Sequence, residues 1–490
     1  MLRQILKNFG SNKVFTLNSI GDHIKSADYS IRGEVLKKAQ EIGQELCRSQ
    51  IYPFKSLAAC NMGNPQYLGQ KPLTWVRQGL SLVVNPELLD YPGLISQYPS
   101  DIIDRSKYLL NCIQGGIGAY SDSAGYHVVR ESIAKYIEQR DSVGPSNPND
   151  IFTTNGASPS IEITLTAIID SLNDGIMLPI PQYSLYTALI TLNKGKSVGY
   201  YMNSNNGFWS MSIEEMQKAL SRARNDGVNV KAVVVINPGN PTGQVLDEEN
   251  MKDVVRFCED NRLVLLADEV YQDNIYMPDK KFTSFRKVVI QMNSDLELFS
   301  FHSLSKGFYG ECGIRGGYME LINIDKQAKD EIFKLGSLMI CSSTFGQIGM
   351  ELVLNPPSPS QPSYQTFIQE KTEILSNLKK NAELMHALFN TMDNITCNYI
   401  EGAMYAMPCV RVSKKAIQAA KNANLPVDKF YVMKALEETG IILAPFGYGQ
   451  DPRTFHFRIT IMSPEESFED LLLSFKVFND NFHKQYKDST

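Results

Sequence analysis

Two short apolar runs constrain the fold more than any other feature: AVVVI at 232–236 and LVLLA at 263–267. A strand with one wet face alternates polar and apolar residues. These runs are apolar throughout, so both of their faces must be covered. Between them lies NPGNPTGQVLDEENMKDVVRFCEDN, a turn followed by a stretch of helical period. Strand, helix and strand in that order predict a parallel α/β sheet. GIMLPIPQYSLYTALITLN (175–193) repeats the pattern. So does NDIFTTNGASPS from Asn149 onward: a short strand, a Gly-Ala-Ser turn, then an apolar helix over Ile161–Leu172. Such a turn before a helix N-terminus is a plausible anion cradle. Ligands of these sheets gather beyond the carboxyl ends of the strands. Asn240 follows the first run closely and Asp268 sits at the end of the second.

Composition narrows the class. The chain has 490 residues, enough for two or three structural units, and 43% hydrophobic with 21% charged residues suits a globular protein with an ample core. A formal net charge of −5 and no long basic tail argue against nucleic-acid and anionic-membrane partners. Eight scattered cysteines without a C-x-x-C pair, and six histidines without H-E-x-x-H, predict neither a metal site nor a disulfide scaffold. No apolar run approaches the ~20 residues needed to span a bilayer. The expected compartment is the cytoplasm. Met1–Phe15 carries Arg3, Lys7 and Lys13 without an acid, so a short mitochondrial transit peptide is the alternative to an ordinary flexible start.

Along the chain, Ser30–Ser49 has the spacing of an amphipathic helix, and Ala59–Pro72 is rich in turn residues, Gly63 and Gly69 among them. Prolines break Pro86–Pro99 ahead of a helix over Asp101–Cys112. A Gly-rich run ends at Tyr120, and a helix begins near Tyr126 with Asp122 or Ser123 as its expected cap. NPPSPSQPS (355–363) is the clearest break in composition. Beyond it lie a charged helix over Tyr364–Met392, the strand TFHFRIT and a final amphipathic helix. The expected division is therefore 1–95 as an N-terminal arm and part of a small domain, 96–354 as a large domain, and 355–490 as the C-terminal small domain.

Candidate chemistry centres on FSFHSLSKGFYGECGIRGGYME (299–320), where Lys306 stands between Ser305 and Gly307 with no neighbouring acid. A solvated loop lysine is the commoner reading of such a stretch, but an amine meant for a Schiff base fits it too. The LLADE run also suits the magnesium-holding strand of a P-loop ATPase. That reading requires G-x-x-x-x-G-K-[ST], which the chain lacks. Pyridoxal phosphate chemistry needs a lysine for the aldehyde and a carboxylate for the ring nitrogen. It also needs donors for the ring hydroxyl and a phosphate clamp containing arginine. The chain offers each.

The segments GAYSDSAG, PIPQYSLY, INPGNPTGQV, LLADEVYQDN, SFHSLSKGFYGECGIRGGY and FHFRIT, in this order, resemble the alanine aminotransferase family. The resemblance runs from about Phe15 to near the C-terminus. It implies fold type I: a large domain with a mostly parallel seven-stranded sheet flanked by helices, plus a smaller α+β domain. It implies pyridoxal 5′-phosphate as cofactor, with no metal. Lys306 would be the Schiff-base lysine and the base that moves the substrate proton, Asp268 the partner of the pyridinium, and Tyr271 and Asn240 donors to the ring hydroxyl. Tyr183 would stack on the ring, and Ala157, Ser158, Ser303 and Arg315 would bind the phosphate. Arg458 would clamp the substrate α-carboxylate, and Gly63 would line the substrate pocket through its backbone. Tyr120 would reach the phosphate of a neighbouring subunit, which implies a homodimer with shared sites.

The reaction implied is ping-pong transamination between amino acids and 2-oxo acids, L-alanine and 2-oxoglutarate giving pyruvate and L-glutamate. Alternatives on the same residues are a glutamate–glyoxylate aminotransferase and a lyase. A non-catalytic regulator of this fold would need a DNA-binding module, for which the chain has no room.

Overall fold

The computed structural model describes residues 15–27, 33–48, 51–447, 449, 451–462 and 465–488. The expectation for the first fourteen residues therefore lies outside the described part. Seven strands form the main sheet: β1 (Ile151–Thr154), β2 (Asp174–Ile180), β3 (Lys196–Tyr201), β4 (Asn229–Ile236), β5 (Val264–Asp268), β6 (Leu298–Ser303) and β7 (Gly317–Ile322). Their order is β1-β7-β6-β5-β4-β2-β3, and β7 alone runs against its neighbours. The seven-stranded, mostly parallel sheet is thus present. The apolar runs behave as their composition requires. In β4, Ala232, Val234 and Ile236 pack into one core with Ile161 and Leu165, while Val233 and Val235 pack into another with Val254 and Cys258.

The helices that matter for the site follow from local sequence. α1 (Glu34–Leu46) buries Val35, Ala39 and Ile42, residues at helical spacing. α2 (His127–Asp141) starts where expected but is not capped by Asp122 or Ser123. Those residues lie too far upstream to reach the first turn. The Asp122 carboxylate instead accepts from the Ala124 N–H at 2.9 Å, and the Tyr126 N–H at the helix entry donates to Gln347 Oε1 at 2.7 Å. α3 spans Ala157–Ile168, four residues earlier than Ile161–Leu172. Pro159 falls in its first turn, where a missing N–H costs nothing, so Ser-Pro opens the helix instead of preceding it. α4 (Glu248–Asn261) connects β4 to β5, with the Asp247 carboxylate capping the Asn250 N–H at 2.8 Å.

Beyond the proline-rich segment, α5 (Tyr364–Phe389) leads into a five-stranded sheet of β8 (Ile395–Thr396), β9 (Tyr405–Ala406), β10 (Cys409–Arg411), β11 (Ala444–Pro445) and β12 (Thr454–Thr460). α6 (Val427–Thr439) and α7 (Glu465–Gln485) cover it. The ring of Tyr431 lies among Phe455, Phe457, Phe475, Phe478 and Phe482 at centroid distances of 4.9–6.2 Å. The N-terminal part joins this unit: α1 packs on α6, and Ala58–Ala59 pairs in parallel with Ile441–Ile442. β12 sends Phe455, Phe457 and Ile459 into the aromatic core, and period two turns Arg458 to the other face.

Candidate active site

A cavity of about 300 Å³ opens at the carboxyl ends of the strands and is lined by every expected site residue except Tyr120. β4 ends four residues before Asn240, β5 ends on Asp268, and β6 ends three residues before Lys306. A cavity of about 420 Å³ between the 65–74 segment and α5 contains none of these residues.

Asp268 is buried, 4% exposed. Its Oδ2 accepts from the Tyr186 hydroxyl at 2.9 Å, while Oδ1 has no partner. Burial pushes the carboxyl up to about 6, against the opposing pull of the Tyr186 hydroxyl, the Val270 N–H and the Lys306 charge. A buried carboxylate oxygen without a donor is destabilising unless a ligand supplies one. Lys306 makes no ion pair among the described residues, and its Nζ donates to the Gly63 carbonyl at 2.5 Å.

Arg458 is 6% exposed. One guanidinium nitrogen donates to Asn240 Oδ1 at 3.1 Å and another to the Asn61 carbonyl at 2.7 Å, and Nε is unpartnered. The Asn240 amide nitrogen is left to donate elsewhere. The guanidinium also lies 4.3 Å from the centroid of the Tyr405 ring. Tyr405 and Tyr271 meet edge-on, centroids 6.2 Å apart. Burial raises the Tyr271 phenol well above its ordinary value. Burial pushes Tyr405 up as well, but the charges of Lys306 and Arg458 and the Tyr271 hydroxyl outweigh it, so Tyr405 is lowered.

At the N-terminus of α3, Ala157 and Ser158 line the cavity together with Ser303 and Arg315. Arg315 donates to the carbonyls of Asn155 (2.7 Å) and Cys312 (2.9 Å). Gly156 has φ +85°, a conformation that L side chains rarely adopt, and a Cβ there would also sit 2.6 Å from the Arg315 Nη2. Tyr183 lines the same cavity. Tyr120 is 77% exposed and lies outside it. His302 is buried against Tyr309 and Tyr318, and burial followed by the nearby Arg140 charge pushes it down to about 3. Sequence reasoning missed Tyr186 and Tyr405. Neither stands in a pattern that distinguishes it from a core tyrosine.

The family model for aminotransferase class I and II matches residues 90–471. Alanine aminotransferase 1, mitochondrial, of Arabidopsis thaliana is 44% identical over 479 residues, 96% of this chain and 88% of that protein. Glutamate–glyoxylate aminotransferase 2 of the same plant is 43% identical over 484 residues, 98% of each chain. A crystal structure of an aminotransferase from Escherichia coli superposes with a TM-score of 0.73 at 23% identity, covering 95% of this chain and 98% of the other. Fold and site together define a transaminase of fold type I. The chain belongs to the class I and II aminotransferases, in the branch that holds the alanine and glutamate–glyoxylate enzymes.

Proposed function

We propose that this transaminase carries pyridoxal 5′-phosphate at Lys306 and exchanges an amino group between L-alanine and 2-oxoglutarate, giving pyruvate and L-glutamate. The unpartnered, buried Oδ1 of Asp268 on the cavity wall carries the cofactor assignment, because a protonated ring nitrogen is the donor that such an oxygen lacks. The residues present fit the group. When bound, pyridoxal phosphate supplies an aldehyde for the amino nitrogen and a ring that withdraws electrons from the substrate α-carbon.

The chain's own residues do the rest. Asp268 would hold the ring nitrogen in its protonated form, Tyr271 and Asn240 would donate to the ring hydroxyl, and Tyr183 would lie against the ring. The first N–H groups of α3 at Ala157 and Ser158, the Ser303 hydroxyl and Arg315 grip the phosphate. Arg458 fixes the substrate α-carboxylate, with Gly63 forming the wall beside it. The Lys306 amine would be the group that moves the proton at the substrate α-carbon. The two half-reactions use this site in turn.

A glutamate–glyoxylate exchange is the second reading, favoured by a relative of that name matching 98% of this chain. A homodimer with shared sites would account for Tyr120, which is exposed and lies outside the cavity. Leu338, Met339 and Ile340, 52–74% exposed, precede Ser343, whose N–H donates to Asn155 Oδ1. A second subunit would cover both. The compartment proposed is the cytoplasm, with the mitochondrion as the alternative that some relatives' names raise. No helix among the described residues is long and apolar enough to cross a membrane.

Lys306→Ala tests the assignment. It should abolish steady-state transamination and the visible absorbance of the loaded protein, and turnover retained in that variant would refute it. A panel of amino donors against pyruvate, glyoxylate and 2-oxoglutarate separates the two substrate readings.

A further inference from the structure

The geometry points to Asn274 as a positioning residue for the reactive amine: its carboxamide clamps both backbone groups of Gly307, the residue next to Lys306. This inference rests on Lys306 being the cofactor lysine.

Asn274 is fully buried. Its Oδ1 accepts from the Gly307 N–H at 2.9 Å, and its Nδ2 donates to the Gly307 carbonyl at 3.2 Å. Lys306 and Gly307 lie beyond the end of β6, so no strand ladder holds them. Gly307 has φ +68°, and a Cβ there would meet the Tyr309 ring at 2.6 Å. Only glycine fits, and glycine is the residue whose backbone is freest to move. The turn that aims Lys306 therefore contains a potential swivel beside the amine, and the two bonds from Asn274 remove that freedom.

The clamp is itself held from both sides. The Asn274 N–H donates to the Tyr271 carbonyl at 2.8 Å, and its own carbonyl accepts from the Ala403 N–H at 3.0 Å. Ile275 forms a bridge to Gly402. The end of β5 and the turn after it thus carry Asp268, Tyr271 and Asn274 at intervals of three, and the turn is tied to Gly402 and Ala403 just before β9. Gln70 adds a further bond to the loop, Nε2 to the Phe308 carbonyl at 2.9 Å, but leaves Gly307 itself to Asn274.

Three variants test this. Asn274→Ala removes both bonds. Asn274→Asp keeps the acceptor for the Gly307 N–H but sets a carboxylate oxygen against the Gly307 carbonyl. Asn479→Ala removes a buried carboxamide outside the cavity, where it bonds Tyr431 and the Asp393 carbonyl. In the loaded enzyme, Asn274→Ala should lower kcat about 100-fold, the scale expected for a misplacement of about 1 Å. KM for L-alanine should stay within about threefold, because Arg458 is untouched.

The second readout is covalent capture. Cofactor-free chain is mixed with pyridoxal phosphate and quenched with borohydride, and the labelled peptide is identified by mass. The rate of labelling at Lys306 should fall with kcat, and Asn274→Asp should fall between Asn274→Ala and the parent in both measurements. Asn479→Ala should lower the thermal midpoint and change neither. If Asn274→Ala retains the parent's kcat and capture rate, or loses no more than Asn479→Ala, the inference is overturned. Should Asn274→Ala not fold, Asn274→Asp decides by the same criteria. Labelling that persists at the parent's rate in Lys306→Ala would instead overturn the cofactor assignment.

Discussion

Asp268→Asn, made in the chain stripped of cofactor, isolates the destabilising effect of the buried carboxylate. The Asp268 carboxyl is pushed from an ordinary 3.8 to about 6, chiefly by burial. At about 1.4 kcal/mol per tenfold change in acidity, this corresponds to about 3 kcal/mol. The sign follows from proton counting. Between 3.8 and about 6 the folded chain keeps a proton that the unfolded chain has lost, so stability falls as pH rises across that window. Above it the full destabilisation is present. Below it both states are protonated and nothing is lost.

Asparagine is neutral at every pH and retains a carbonyl acceptor for the Tyr186 hydroxyl. At pH 8 the variant should therefore be more stable than the parent, by up to about 3 kcal/mol, with the gap closing towards pH 4. Urea unfolding at a series of pH values, followed by circular dichroism, measures the difference. Glu269, raised by burial to about 7, is present in both proteins and drops out of the comparison. Adding pyridoxal phosphate should reverse the order, because a cation beside the site stabilises the carboxylate and offers the amide little. A stripped Asp268→Asn chain that is less stable than the parent at pH 8, or a gap that does not change with pH, would refute the burial argument.

Two further outcomes follow from the site. Arg458→Lys loses the planar fork that spans Asn240 and the Asn61 carbonyl, so kcat/KM should fall about 100-fold for L-alanine and for pyruvate, mainly through KM; an unchanged KM for both would remove Arg458 from carboxylate binding. If Tyr120 acts on the partner's site, co-expressed Tyr120→Ala and Lys306→Ala chains should recover about a quarter of the parent's activity, since half of the random dimers are hybrids and each hybrid has one intact site. Activity in the mixture no higher than in the separate variants would place Tyr120 outside the neighbouring site.

The strands were legible because an unbroken apolar run states its own burial: the residues of β4 and β5 need two cores whatever surrounds them. Element ends were less so. Ser-Pro at 158–159 reads equally as a loop or a first turn, and the cap expected near Asp122 was replaced by a contact with Gln347, 221 residues away in sequence.

Within the site, Lys306, Asp268 and Arg458 fall in segments that resemble a known family, and that resemblance, more than their spacing, marks them as candidates. Tyr186, Tyr405 and Asn274 hold those groups in place, and a holder needs only a donor or acceptor at the right point. Tyr186 meets Asp268 across 82 residues, and Asn274 meets Gly307 across 33. No local pattern records such a meeting, because it exists only once the sheet has brought the strand ends together. The same separation explains why the lysine loop reads as Gly-rich and loose in sequence yet is clamped in the fold. Its glycines permit the turn, and the residue that stops Gly307 from moving is supplied by the preceding strand's turn.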